Sequence, residues 1–150
     1  MKFKLSLIAA MVALASLGGC GGGGGADTPS NGAPVASPAT LSIKDNTVGT
    51  GAEATPGKSL TLHYTGYLYS ATAADNKGTQ FQTTVGGTPF SMVLGVTNVV
   101  SGFSQGVTGM RVGGKRTVLI PASLAYGSSG QGPIPPNAGI VFDLELLEVR

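Results

Sequence analysis

One cysteine, one histidine and no tryptophan occur in this chain of 150 residues, and charged side chains make up only 11% of it. Each scarcity excludes something. A lone Cys20 cannot close an internal disulfide, so no disulfide framework stabilises the fold. A lone His63, with no second histidine or cysteine to share a ligand, leaves no cluster at metal-binding spacing, and no metal or other cofactor is called for. It alternates onto the polar side of its segment, between Leu62 and Tyr64, and reads as structural. Lysine and arginine form no stripe with interleaved aromatics, which removes nucleic acid from the expected partners.

What is present begins with the N-terminus. Lys2 and Lys4 precede an apolar run from Leu5 to Leu17 that ends in Leu17-Gly18-Gly19-Cys20. A basic start, an apolar stretch too short for a comfortable membrane span, and small residues at its end describe an export signal. The ending resembles a bacterial lipobox, in which the chain is cut before the cysteine and the sulfur carries diacylglycerol. Residues 1–19 are therefore expected to be a lipoprotein signal peptide, with Cys20 the lipidation site. The acyl chains would then be the only attachment to a membrane. Removing Lys2 and Lys4 from nine basic residues leaves seven against seven acidic ones, so the mature chain is formally neutral.

Gly21 to Gly25 is an unbroken glycine run, followed by Pro, Ser, Thr and Ala to about Thr40. Such composition buries too little apolar area to offset chain entropy, so residues 20–40 are expected to be a lipidated, flexible tether. Residues 41–150 then form one domain, long enough for a single core. Strands dominate it. Leu60, Leu62, Tyr64, Gly66 and Leu68 alternate with polar neighbours, the period of a half-buried strand. Thr117 to Ile120 is a β-branched run stopped by Pro121, and Ile140, Phe142, Leu144 and Leu146 share one face of a last strand. Val99, Phe103 and Val107 recur every four residues, predicting one helix over Asn98 to Val107 that Thr97 or Asn98 caps. Gly102 and Gly106 weigh against it, each costing about 1 kcal/mol relative to alanine. The connection from Tyr69 to Gln80 reads as a surface loop. The fold class is α+β.

Two familiar motifs fail in context. Gly102-Phe103-Ser104-Gln105-Gly106 spells the G-x-S-x-G elbow of α/β-hydrolases, which requires a histidine later in the chain, yet His63 lies upstream. Gly57-Lys58-Ser59 ends like a phosphate-binding loop, but Ala52 stands where its first glycine belongs, and a strand follows it instead of preceding it. What remains is an aromatic and aliphatic set, which by spacing alone reads as core: Tyr64, Phe81, Phe90, Val99, Val100, Phe103, Tyr126, Ile134 and Phe142.

Its arrangement carries further. His63-Tyr64-Thr65-Gly66, Phe81, Pro89-Phe90, Leu94-Gly95, Val99-Val100, Leu124-Ala125-Tyr126-Gly127, Ile134-Pro135-Pro136-Asn137-Ala138 and Val141-Phe142-Asp143-Leu144 follow in order. From about Val48 to Arg150 the chain resembles the FKBP-type peptidyl-prolyl cis-trans isomerases. The resemblance implies a curved, mostly antiparallel sheet wrapped around one short helix, with the active site between them. It implies catalytic roles at Tyr64, Phe81, Gln82, Tyr126 and Phe142, and proline-binding walls at Phe90, Val99, Val100, Phe103 and Ile134. The backbone N–H of Val100 and the Tyr126 hydroxyl would hold the substrate. Phe103 stands where many members carry a tryptophan at the pocket floor.

Gln82 is the main departure. The family usually has an aspartate there, which accepts a hydrogen bond from the tyrosine matching Tyr64; an amide can accept but carries no charge. The implied partners are proline-containing polypeptides and macrolides of the FK506 and rapamycin class. With the export signal, the expected place is the bacterial cell envelope, lipid-anchored, at an outer membrane facing the periplasm or at the cell surface. The alternative is a non-catalytic proline-binding chaperone or surface adhesin that keeps the pocket without the rate enhancement.

Overall fold

The computed structural model describes residues 35–150. The expected signal peptide over residues 1–19, Cys20 and the glycine run lie outside the described residues. Six strands and one helix follow in order: β1 (Ser42–Thr47), β2 (Ser59–Tyr69), β3 (Lys77–Thr83), β4 (Phe90–Val93), α1 (Ser101–Val107), β5 (Lys115–Ile120) and β6 (Ile140–Val149). They form one sheet in the order β1-β5-β6-β2-β3, with β4 also on β2, and every pairing is antiparallel.

β2 organises the sheet because its eleven residues are long enough to serve two partners on one edge. Its first half, Ser59 to Leu62, pairs with β4, and Thr65 to Tyr69 pairs with β3. The other edge pairs with β6 along nearly its whole length. Period-two alternation then decides the faces: Leu60, Leu62 and Tyr64 are buried, while His63 and Thr65 point to the other side. Ile140, Phe142, Leu144 and Leu146 of β6 continue the same buried face, with Val118 and Ile120 of β5 beside them. The opposite face is polar and bonded across strands. Asp143 accepts from Thr117 Oγ1 at 2.7 Å and pairs with Lys77 at 2.8 Å. Val141 is an exception on that face, fully buried and in register with Leu119 and Tyr67.

α1 lies against β5, and its two glycines explain how closely. A Cβ on Gly102 would run into the Ile120 side chain, and one on Gly106 would come within 2.7 Å of Val118 Cγ2. The helix gives up about 1 kcal/mol of propensity per glycine and gains backbone-to-side-chain packing with the sheet. The G-x-S-x-G string is thus a packing motif here. Ser104 accepts the Thr108 N–H and hydroxyl at its carbonyl, and His63 is occupied elsewhere, with Nδ1 3.1 Å from Thr84 Oγ1.

Two expectations are corrected. The helix begins at Ser101, not at Asn98, because Val100 is extended (φ −58°, ψ 143°) and no side chain caps it. The Thr97 hydroxyl instead accepts the Val93 N–H at 2.9 Å, which ties it to β4. The segment after Tyr69 is also less of a loop than its composition suggests. Lys77 and Gln80 pair with Tyr69 and Tyr67, so β3 takes its C-terminal part and only residues 70–76 connect the strands. Ala36 and Ser37, within the stretch that composition assigns to the tether, are hydrogen-bonded to the folded unit.

Candidate active site

Five elements bring aromatic side chains to one place between the sheet and α1. Tyr64 comes from β2, Phe81 from β3, Phe90 from the first position of β4, Phe103 from α1 and Phe142 from β6. Their rings meet edge to face. Tyr64 lies 5.6 Å from Phe90, 5.7 Å from Phe103 and 5.6 Å from Phe142, with interplanar angles above 80°. Phe103 and Phe142 are closest, at 5.1 Å and 90°, and Phe81 reaches Phe142 at 6.0 Å. This geometry sets the positive edge of one ring against the negative face of another. The rings consequently support one another in fixed orientations.

A cavity of about 120 Å³ opens beside them, lined by Tyr64, Gln82, Phe90, Asn98, Val99, Val100, Phe103, Tyr126 and Phe142. Phe103 and Phe142 are only 4% and 5% exposed and form its base. Eight of the ten pocket residues expected from the sequence therefore converge on one cavity. The other two take different places. Phe81 packs against Phe142 as a supporting ring, and Ile134, 4% exposed, does not line the cavity but lies in the same buried cluster as Tyr64, Phe103 and Phe142. Sequence reasoning missed Asn98 as a pocket residue. Its sequence signal is that of a helix cap, although it directly precedes Val99 and Val100 in the chain.

Polar groups at the cavity are few, and several are free. The extended Val100 leaves its N–H without a protein acceptor among the described residues, while its carbonyl accepts from Phe103 and Ser104. Such a donor, unpaired beside apolar walls, is ready for a substrate carbonyl. Burial, and then the neighbouring Tyr126 hydroxyl, pushes the Tyr64 hydroxyl above its ordinary value near 10, so it stays protonated at neutral pH. Tyr126 is half-buried at the cavity wall. Gln82 is exposed at the rim, on β3 opposite Gly66, and forms no hydrogen bond with Tyr64 among the described residues.

Thr84 positions Tyr64 from behind. Its hydroxyl oxygen accepts the Tyr64 N–H at 2.9 Å, and its own N–H donates to the Tyr64 carbonyl at 2.9 Å. His63 contacts that same hydroxyl, so the chain's only histidine supports the pocket strand and faces away from the cavity.

Comparison with known proteins agrees with this geometry. Residues 50–147 match the model of the FKBP-type peptidyl-prolyl cis-trans isomerase family. An FK506-binding protein of Neisseria meningitidis serogroup B is 42% identical over 110 residues, covering 73% of this chain and 95% of the relative. The peptidyl-prolyl cis-trans isomerase FPR2 of Saccharomyces cerevisiae is 46% identical over 100 residues, covering 65% of this chain and 70% of the relative. Among solved structures, AtFKBP13 superposes with a TM-score of 0.63 at 35% identity, over 76% of this chain and 96% of that one. FkpA from Escherichia coli gives 0.62 at 32% identity, over 77% of this chain and 51% of that one. The chain belongs to the family of FKBP-type peptidyl-prolyl cis-trans isomerases.

Proposed function

We propose that this isomerase seats the proline ring of its substrate in the cavity over Phe103 and accelerates rotation of the preceding bond in proteins folding outside the cytoplasm. One observation carries the reading: a small uncharged cavity, lined by four aromatic rings and two valines besides Tyr126, brings an unpaired Val100 N–H together with Tyr64 and Tyr126. Rotation about a peptide bond costs about 18–20 kcal/mol because the amide loses its conjugation at the top of the barrier. The twisted amide is less polar than the planar one. A dry cavity therefore disfavours the planar ground state more than the transition state. The Val100 N–H and the Tyr126 hydroxyl hold the substrate backbone while the bond turns, and no nucleophile or general base takes part. Unaided X-Pro bonds turn over in tens to hundreds of seconds, slow enough to limit folding.

The export signal and Leu17-Gly18-Gly19-Cys20 support a lipid-anchored placement in a bacterial envelope, with the chain acting on exported proteins there. The same apolar walls support binding of FK506-class macrolides, whose proline-like ring would take the substrate's place.

A proline-isomerisation assay with a proline tetrapeptide tests the reading. The expected result is a rate well above the uncatalysed one, a modest loss in Tyr126→Phe and a gain in Gln82→Asp. Removing the Tyr126 hydroxyl takes away one hydrogen bond, worth about 0.5–1.5 kcal/mol. A wild-type rate equal to the uncatalysed one, with peptide still bound, would leave the proline-binding module without catalysis.

A further inference from the structure

We propose that Ala36, Ser37 and Pro38 are positioning residues of the isomerase: they clasp both ends of the segment 122–139 and so hold Tyr126 at the cavity. The proposal rests on the assignment of Tyr126 as a substrate contact.

The clasp is made of two hydrogen bonds to widely separated points. The Ala122 N–H donates to Ser37 Oγ at 3.0 Å, and the Gly139 N–H donates to the Ala36 carbonyl at 2.9 Å. Ser37 directs its own hydroxyl proton to the Pro38 carbonyl at 3.2 Å, which leaves the oxygen's lone pairs free for Ala122. The two anchor points bracket the substrate segment. Ala122 opens the short 3₁₀ turn (Ala122–Leu124) before Tyr126, and Gly139 immediately precedes β6.

Between these anchors the bonds continue inward. The Ala122 carbonyl accepts the Gly127 N–H at 2.8 Å, and the Gly127 carbonyl accepts the Asn137 N–H at 2.7 Å. Together these links form a closed circuit: Ser37 to Ala122, Ala122 to Gly127, Gly127 to Asn137, then along the chain to Gly139 and back to Ala36. Tyr126 sits one residue from the middle of it.

The segment needs an external tie. Gly127, Gly130 and Gly132 all have positive φ, so it is rich in residues that lose much freedom on ordering. Gly139 is itself shaped to the clasp. A Cβ there would strike Pro38 and come within 2.8 Å of Ser37 Cα. Only a bare backbone lets residues 36–38 lie this close. Three residues whose composition looks like linker thus belong to the catalytic unit.

The test uses the full-length chain, comparing wild type with Ser37→Ala, Ser37→Thr and Gly139→Ala. Amide hydrogen exchange is followed at Gly127 and Asn137, and kcat and KM are measured for a proline tetrapeptide. Losing one neutral hydrogen bond should speed exchange at both amides about five-fold. Gly139→Ala, which displaces the whole segment, should speed it more. KM should rise with kcat nearly unchanged, because a smaller fraction of molecules presents Tyr126 correctly. Ser37→Thr keeps the acceptor oxygen and should restore wild-type values. Wild-type exchange rates in Ser37→Ala overturn the clasp, as does a threonine variant that behaves like the alanine one. Faster exchange with an unchanged KM overturns the positioning role. Ser37 is exposed, so Ser37→Ala decides the matter even where Gly139→Ala fails to fold. Exchange is read independently of turnover, so an inactive wild-type chain would fault the isomerase reading and leave the clasp measurable.

Discussion

Phe142→Leu removes the ring that ties the aromatic group together while leaving an aliphatic side chain of similar reach. Phe142 meets Tyr64 at 5.6 Å, Phe81 at 6.0 Å and Phe103 at 5.1 Å, all edge to face. Each such pair is worth about 0.5–1.5 kcal/mol beyond area burial. Three such pairs sum to about 1.5–4.5 kcal/mol, and because neighbours relax together the expected cost is about 1–3 kcal/mol. Urea unfolding followed by far-ultraviolet circular dichroism should show the midpoint falling with its slope unchanged. By the usual scaling the thermal midpoint should drop by roughly 5–15 °C. Internal controls come from the same cluster. Phe103 also makes three ring contacts, Phe90 makes two and Phe81 makes one. Leucine at each position should therefore destabilise in the order Phe142 and Phe103, then Phe90, then Phe81. Equal costs for Phe142→Leu and Phe81→Leu, within about 0.5 kcal/mol, would refute the reasoning, because both ring geometry and burial rank them apart.

Thr84→Val keeps the shape of the side chain but strips the acceptor from the Tyr64 N–H, and should cost about 1–3 kcal/mol by urea unfolding, with loss of isomerase activity. The raised Tyr64 hydroxyl has a definite sign. Above pH 10 the unfolded chain loses that proton before the folded one, so stability should decline as pH rises through the folded value and stay flat with respect to this group below the ordinary one; urea titrations of wild type beside Tyr64→Phe should show the decline in the former only. Cys20→Ser should leave an unlipidated precursor that no longer fractionates with membranes, and unchanged mass and fractionation would remove the anchor. Rapamycin titrated by calorimetry should bind with less affinity to wild type than to Phe103→Trp, since the indole offers a larger platform and an N–H; equal affinity would take Phe103 out of the pocket floor.

The parts of the fold legible in the sequence are those where burial imposes a period. β2 and β6 each have one face in the core, so their alternation appears directly as leucine, isoleucine and aromatic residues at every second position, whereas β5 shows as an unbroken run from Thr117 to Ile120 stopped by Pro121. β1 carries no such signature because all six of its residues are exposed and β5 alone holds it by backbone bonds. β3 was partly hidden for a related reason: Lys77 to Gln80 contains no large apolar residue, and its place in the sheet is set by pairing with Tyr67 and Tyr69. The helix starts later than its periodicity predicts because Val99 and Val100 fit a helical spacing yet line the cavity ahead of the helix, Val100 from extended backbone.

The candidate site was legible as a set of residues and not as an arrangement. Tyr64, Phe90, Phe103 and Phe142 are far apart in the chain, and only the antiparallel register of β2 with β4 and β6 gathers their rings. Ile134 shows the converse. It stands in the expected loop, but the Gln131–Ile134 bridge turns that loop back on itself, and the side chain is buried. Gln82 is where sequence and geometry together say more than either does alone. The missing charge is visible in the sequence, whereas the exposure of Gln82 and its lack of a bond to Tyr64 are visible only in the fold. Tyr64 is instead held through its backbone by Thr84, two residues further along the same strand end. The pocket tyrosine is thereby oriented without a carboxylate, and with none among its lining residues the cavity is left uncharged. An uncharged floor suits a reaction whose transition state is less polar than its ground state, and an aspartate returned at the exposed position 82 would accept from the tyrosine hydroxyl and raise the rate without charging that floor.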